Sequence, residues 1–346
     1  MQRRATIACA AHFPRGTGLG NRLFYWARAR LFCLEHGLPM VAPRWWRPAL
    51  GHLLRGTVSP ERFAGQIALA GLFQAGPEDL PWHWRLAPLL AGRTIHEQDF
   101  IADQGRFDSL VDRSPDLVPA HGQARGQGLG QGLGRGPGRS LVLIDRPLYS
   151  FAGLNGHGPL LRRELLAITR PRQRQRVRSV PLAPIGINIR CGRDFRPPPA
   201  AGAGADWIGW LQQTPLAWFV ETLQAVRALA GEPVQALVVS DGSERQLAPL
   251  LALPAVRLVR PTTAIVDLLV LGRTRLLLGS GSSSFSAWAA FLGQQTAITA
   301  PGHPFSRWDL EPLAGQTLAS FQPRQPDPEV LRAMVAALDQ PASFAC

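Results

Sequence analysis

The sequence predicts an α/β protein with a parallel sheet, and three observations carry that prediction. Short apolar runs alternate with amphipathic helical stretches between residues 185 and 292. Each run ends in a loop of Gly, Ser, Asp or Arg rather than in a two-residue hairpin turn. The stretch Leu276-Leu-Leu-Gly-Ser-Gly-Ser-Ser-Ser-Phe-Ser-Ala-Trp-Ala-Ala-Phe-Leu292 reads as a buried strand, a tight small-residue turn and a helix that Gly293 can stop. Strand–loop–helix repetition of this kind builds parallel sheets.

Bulk properties bound the function. A chain of 346 residues favours two domains, and 46% hydrophobic residues with 10 Trp supply sizeable cores. Apolar runs fall far short of a spanning helix and the N-terminus has no signal pattern, so the expected location is the cytoplasm. Cys9, Cys33, Cys191 and Cys346 share no metal-type or redox-type spacing and are expected to be reduced thiols. All 37 basic residues are Arg, giving a net charge of +13. Such a charge suits nucleic acid, an anionic membrane surface or phosphorylated substrates. The absence of Lys excludes an ordinary Walker A loop.

In chain order, residues 5–13 make a first strand, followed by glycines at 16, 18 and 20 and then Asn21-Arg22. A helix continues on the stripe Leu23, Ala27, Leu31 and Leu34 to Gly37. Three glycines before a helix let backbone approach a ligand, although the spacing is not that of a dinucleotide fingerprint. Trp45, Trp46, Trp82 and Trp84 mark a segment suited to core packing or to a wall for sugar rings. His96-Glu97-Gln98-Asp99 follows a short strand, and Glu97 is the acceptor-side carboxylate it offers. Residues 120–140 read as a flexible Gly-rich loop. Order resumes at Leu141 to Asp145, and a Gly/Asn loop carrying His157, a second acceptor-side candidate, leads to a helix from Pro159 to Thr169. Arg170, Arg172, Arg174, Arg176 and Arg178 alternate before residue 180 and read as a hinge, their charge either simply solvated or holding the protein near the inner membrane surface or nucleic acid. The domain division is therefore expected at 1–180, on the acceptor side, and 181–346, on the donor side.

The second half is more regular. A strand over 185–189 ends at Arg190-Cys-Gly-Arg193-Asp194, and a helix through Trp218, Leu223 and Val226 follows. Another strand ends at Ser240-Asp241-Gly242, with a helix over 244–251, a strand near 256 and a helix over 263–272 that contains Asp267. Three strand ends thus bring Arg190 with Arg193 and Asp194, Asp241, and the Ser282-Ser283-Ser284 turn to the carboxyl edge of one sheet, where ligands bind. Arg grips a diphosphate bidentately and a helix N-terminus favours its charge, so the three loops suit a nucleoside diphosphate.

These stretches resemble the bacterial alpha-1,2-fucosyltransferases, in a superfamily that includes the alpha-1,6- and protein O-fucosyltransferases. The family's G-G-L-G-N-Q-L-F segment corresponds to Gly18-Leu-Gly20-Asn21-Arg22-Leu-Phe24. Its H-x-R-R-x-D signature corresponds to Asn188-Ile-Arg190-Cys191-Gly-Arg193-Asp194, with Asn for His, Cys for the second Arg and one residue inserted. Its S-D-D segment corresponds to Ser240-Asp241-Gly242, and its S-N-S-T-F-S-W-W-A-A-W-L segment to Gly281 through Leu292.

The resemblance implies a GT-B fold of two Rossmann-like domains, a GDP-fucose donor and metal-independent, inverting transfer to a glycan hydroxyl. Arg190 would contact the diphosphate and Asn21 the donor cleft, the two residues expected at the reaction centre. Donor-binding residues would be Gly18, Gly20, Arg22, Asn188, Arg193, Asp194, Asp241, Ser282, Ser283 and Ser284. No metal or other cofactor is expected, and no D-x-D occurs. Two rival readings stand beside this one: transfer from another GDP- or UDP-sugar, and non-catalytic glycan or nucleic-acid binding. Arg and aromatic residues do not interleave as in RNA-binding segments, so nucleic acid is not the expected partner.

Overall fold

The protein is described by a computed structural model covering residues 7–14, 17–45, 68–86, 93–102, 140–146, 149–192, 213–260, 262–302, 304–341 and 344. Its contacts divide into two units, Met1–Gly18 with Arg22–Leu148, and Leu19–Asn21 with Tyr149–Cys346. The Gly-rich segment 120–139, Trp46, Arg193 and Asp194 lie outside the described residues.

In the first unit, β1 (Ile7–Ala11), β2 (Arg93–His96) and β3 (Ser140–Ile144) form a parallel sheet of order β1-β3-β2. Helix α1 (Leu19–Glu35) follows β1, and α2 (Glu97–Ala102) follows β2 directly. Every residue of β1 is buried, as an apolar run without alternation predicts for a strand covered on both faces. The expected stripe of α1 is too narrow. Leu23 and Ala27 are buried, but so are Phe24, Tyr25 and Trp26, whereas Leu34 is 48% exposed. The helix starts enclosed on all sides and emerges at its last turn. There Gly37 adopts φ +63° and the Leu38 N–H bonds the Cys33 carbonyl at 2.9 Å. Trp45 stacks on Phe73 with ring centroids 3.9 Å apart, and Trp84 is buried, so these two are core.

The second unit carries α3 (Gly158–Ile168), α4 (Pro171–Ser179), β4 (Ile185–Ile189), α5 (Leu216–Ala230) and β5 (Ala236–Ser240). It continues through α6 (Glu244–Leu251), β6 (Val256–Leu258), α7 (Ala264–Gly272), β7 (Leu276–Gly279) and α8 (Ser284–Gly293). Beyond the elements expected from sequence come β8 (Thr296–Thr299), β9 (Leu318–Ser320) and α9 (Pro328–Asp339). All six strands are parallel, in the order β6-β5-β4-β7-β8-β9.

Period-2 alternation sorts the side chains of this sheet. Ile185, Ile187, Ile189, Val238, Leu276 and Leu278 pack with Trp218, Leu223, Val226, Leu247 and Met334, so α5, α6 and α9 cover one face. Helices α4, α7, α8 and α3 pack in sequence with one another. Gly186 admits Thr274 from the loop after α7, since a Cβ there would stand 2.7 Å from its Oγ1.

Two local expectations are corrected. The Arg run is not a hinge but helix α4, within the Tyr149–Cys346 part of the second unit. Pro171 at its first turn and buried Gln173 and Val177, four residues apart, set it as a helix while the Arg side chains take the solvent. Helix α8 is closed by Gln294 at φ 55°, not by Gly293. Gly293 is instead a close-approach position, where a Cβ would stand 2.5 Å from the Gly272 carbonyl oxygen.

Candidate functional site

Counted within its own unit, the six-stranded order reads 3-2-1-4-5-6, the doubly wound order whose direction reverses between β4 and β7. Connections leave those two strands toward opposite sides and open a crevice outside their carboxyl ends. Arg190 follows β4 and the turn 280–283 follows β7, so both stand at that reversal.

Backbone and side chains lace the two strand ends together. The Ser280 N–H donates to the Asn188 carbonyl at 2.9 Å, and the Arg190 N–H donates to Ser280 Oγ at 2.9 Å. Asp241, after β5, joins from the other side: its Oδ2 lies 2.6 Å from Arg190 Nη1, and its Oδ1 accepts the Cys191 N–H at 2.7 Å. The side chains of Arg190 and Asp241 remain 29% and 32% exposed, so this charge pair is open to a ligand. Arg260 Nη2 donates to the Gly242 carbonyl and braces the loop that carries Asp241.

The turn after β7 is tight for a stated reason. Ser282 sits at φ 55°, and Ser282 and Ser283 are buried. Ser283 Oγ accepts the Ser286 N–H at 3.4 Å, so its hydroxyl caps α8. Ser284 Oγ donates to Asn21 Oδ1 at 2.9 Å, a contact inside the second unit because Leu19–Asn21 belong to it. Gly20 makes this approach possible, since a Cβ there would stand 2.6 Å from Ser284 Oγ and 3.2 Å from the Phe285 nitrogen. Gly18, the residue preceding α1, meets nothing within 4 Å at its Cβ position.

The structure therefore brings Arg190, Asp241, Asn21 and the serine turn into one unit, and commits other expected ligands elsewhere. Asn188 is 2% exposed and donates from Nδ2 to Ser286 Oγ at 2.8 Å, beneath α8, rather than into the crevice. Register explains it: Asn188 opposes Gly279, and the missing side chain there leaves room for Ser286, 3.0 Å from a Cβ built on that glycine. Arg22 is 0% exposed. Its guanidinium donates to the Thr17 carbonyl at 2.9 Å and to the Trp45 carbonyl, and lies over the Phe13 ring, which is the work of a structural cation. His157 is exposed at the entry to α3, and Glu97 pairs with Arg28 at 3.5 Å.

Cys191 and Gly242, two of the departures from the resembled signatures, lie against each other. A Cβ on Gly242 would stand 2.8 Å from Cys191 Sγ. Burial pushes the Cys191 thiol up, with the Asp241 carboxylate adding to it and Ser240 and Arg190 opposing.

One pair in the first unit was not singled out from sequence. His96 Nδ1 lies 3.0 Å from Asp145 Oδ2, at the carboxyl ends of β2 and β3. The available signal was that His96 ends a strand while its neighbour Glu97 starts a helix and turns away. Among the described residues no three His, Cys, Asp or Glu side chains cluster, and no helix is long and apolar enough to cross a membrane.

No protein-family model and no curated protein matches this chain. Solved structures similar to it include fucosyltransferases. NodZ alpha-1,6-fucosyltransferase soaked with GDP-fucose is 14% identical, with 86% of this chain and 96% of that chain covered and a TM-score of 0.45. Fucosyltransferase NodZ from Bradyrhizobium is 15% identical, with 87% and 97% covered and a TM-score of 0.47. POFUT1 in complex with GDP is 13% identical, with 91% and 96% covered and a TM-score of 0.47.

Proposed function

We propose that this chain is a GT-B-type glycosyltransferase that moves fucose from GDP-fucose to a hydroxyl of a glycan, with inversion and without a metal ion. The observation that carries the reading is the placement of Arg190 and the turn 280–283 on the two strands that flank the sheet's reversal, with Asp241 bonded to Arg190 at 2.6 Å. A doubly wound sheet binds nucleotides at that point. A permanent cation there can neutralise the charge that develops on a departing diphosphate. The sequence resemblance described above supplies GDP-fucose as the donor and an alpha-1,2-type linkage as its finer form.

In this reading the diphosphate sits between the Arg190 guanidinium and the backbone N–H groups at the start of α8, and Asp241 receives the nucleoside. The acceptor oxygen bonds to fucose C1 on the face opposite GDP as the C1–O(phosphate) bond breaks. The acceptor proton passes to a general base, and His96, 3.0 Å from Asp145, is the first unit's candidate for that role. GDP leaves with the electron pair. A cell-surface polysaccharide is the acceptor class, the cytoplasm the compartment, and helix α4, with its five Arg from 170 to 178 counting its N-cap, the face turned to an anionic membrane.

The test is calorimetric titration of GDP, GDP-fucose, GDP-mannose and UDP-sugars with EDTA present, on wild type and Arg190→Ala. GDP-fucose binding that is lost in the variant supports the donor site. Equal GDP binding by both proteins, or none by either, sinks it. Preference for a UDP-sugar would favour the second reading, transfer from another nucleotide sugar.

A further inference from the structure

We infer that the first unit holds an acceptor subsite for an acidic sugar, one bearing a carboxylate; the inference rests on the glycosyltransferase reading and names its substrate class. A cavity of about 250 Å³ is lined by Ala11, His12, Phe13, Arg44, Arg85, Thr94, Leu141 and Leu143. Ligand pockets begin near this size, at about 300 Å³, so one sugar ring is the scale it suits.

Its chemistry is lopsided. Among the described residues, two permanent cations and a histidine line it and no carboxylate does. Arg85 is held in place by donating from Nη2 to the Ala11 carbonyl at 2.8 Å, and the Arg44 guanidinium lies 5.8 Å from the centroid of the Trp82 ring. Guanidinium groups fixed this way recognise a planar carboxylate bidentately and discriminate against a neutral hydroxymethyl group. Phe13, Leu141 and Leu143 supply an apolar wall for the C–H face of a pyranose.

Position connects the cavity to reactivity. Thr94 lines it, and His96, two residues on, continues the same face of β2 by strand periodicity. The parallel register places Thr94 opposite Leu141 and His96 opposite Leu143, both leucines being lining residues. A sugar anchored by its carboxylate at the two Arg would thus lie alongside the His96–Asp145 pair.

The experiment titrates the full chain with a glucuronic-acid-terminated disaccharide, its carboxyl-reduced glucose counterpart, and inorganic phosphate, by ligand-observed NMR. The acid is expected to bind at least about tenfold tighter than the reduced sugar, and Arg44→Gln to erase that preference. Equal binding of acid and reduced sugar in wild type overturns the inference without any variant. Retained preference in Arg44→Gln, or displacement of the acid by phosphate at lower concentration than by the sugar itself, also overturns it. GDP binding is measured in parallel: its loss would remove the donor reading and leave carboxylate discrimination standing, so the two failures are distinguishable.

Discussion

Arg190 Nη1 lies 2.6 Å from Asp241 Oδ2, so the cation expected to meet a diphosphate is paired with the carboxylate expected to meet the nucleoside. A ligand that uses both must reorganise this pair. Arg190→Ala should lower affinity for GDP and for inorganic diphosphate alike, by about tenfold or more, because a charge-assisted contact is lost. Asp241→Asn should lower GDP affinity while leaving inorganic diphosphate bound as well as before, or better. Calorimetry with the two ligands checks it, and equal losses of both ligands in Asp241→Asn would show that Asp241 acts only through Arg190.

Gly20 packs against the start of α8, with Ser284 Oγ 2.6 Å from where its Cβ would be. Gly20→Ala should destabilise the protein by about 1–3 kcal/mol through overpacking and displace Asn21 from its 2.9 Å bond to Ser284. Adding Ser284→Ala removes the nearest obstructing atom and should return part of that loss, while the Phe285 nitrogen at 3.2 Å keeps the recovery incomplete. Denaturant midpoints of wild type, both single variants and the double variant test the coupling. Additive losses would rule out the contact.

The six-stranded sheet was legible because its strands are uninterrupted apolar runs and its loops change composition abruptly, as at Ile189–Arg190 and Gly279–Ser280. What was not legible is which way a residue at such a boundary faces. Asn188 and Arg190 are two apart, but Asn188 opposes Gly279 and serves Ser286, a fact set by interstrand register. Arg22 follows the ligand-like Gly20-Asn21 in sequence, yet one residue of helical rotation carries it into the core of the first unit. Helix α4 hid its period because only Gln173 and Val177 are buried and Arg fills the positions between. Strands β8 and β9 have four and three residues, too few for a periodic signal.

Cys191 and Gly242 constrain each other across neighbouring loops. Gly242→Ala should destabilise by about 1–3 kcal/mol, since its Cβ would meet Cys191 Sγ at 2.8 Å and Cys191 Cβ at 3.0 Å. In a Cys191→Gly background both obstructions are absent and the same substitution should cost much less, with Ser240 Oγ at 3.2 Å as the remaining neighbour. A double-mutant cycle read by chemical denaturation should give a coupling of about 0.5–3 kcal/mol. A coupling near zero would mean that the loops move apart freely.

Asp267, in the first turn of α7, gives the protein a pH signature away from the site. Burial pushes its carboxyl from an ordinary 3.8 up to about 6, against the opposing pull of the Thr262 hydroxyl and the Arg260 charge. Thr262 Oγ1 donates to Asp267 Oδ1, a bond that Asn can also accept. Because the folded-state value is raised, the folded protein holds a proton between about pH 4 and 6 that the unfolded chain has released, so this group's contribution falls as pH rises through that window. A shift of about two units corresponds to about 3 kcal/mol at most above the window and to nothing below it. Asp267→Asn should therefore match wild type near pH 4 and be more stable than it by up to about 3 kcal/mol at pH 7. Denaturant unfolding of both proteins at pH 4, 5, 6 and 7 reads the difference directly. A gap that stays constant with pH would mean that Asp267 keeps its ordinary carboxylate character in the folded protein.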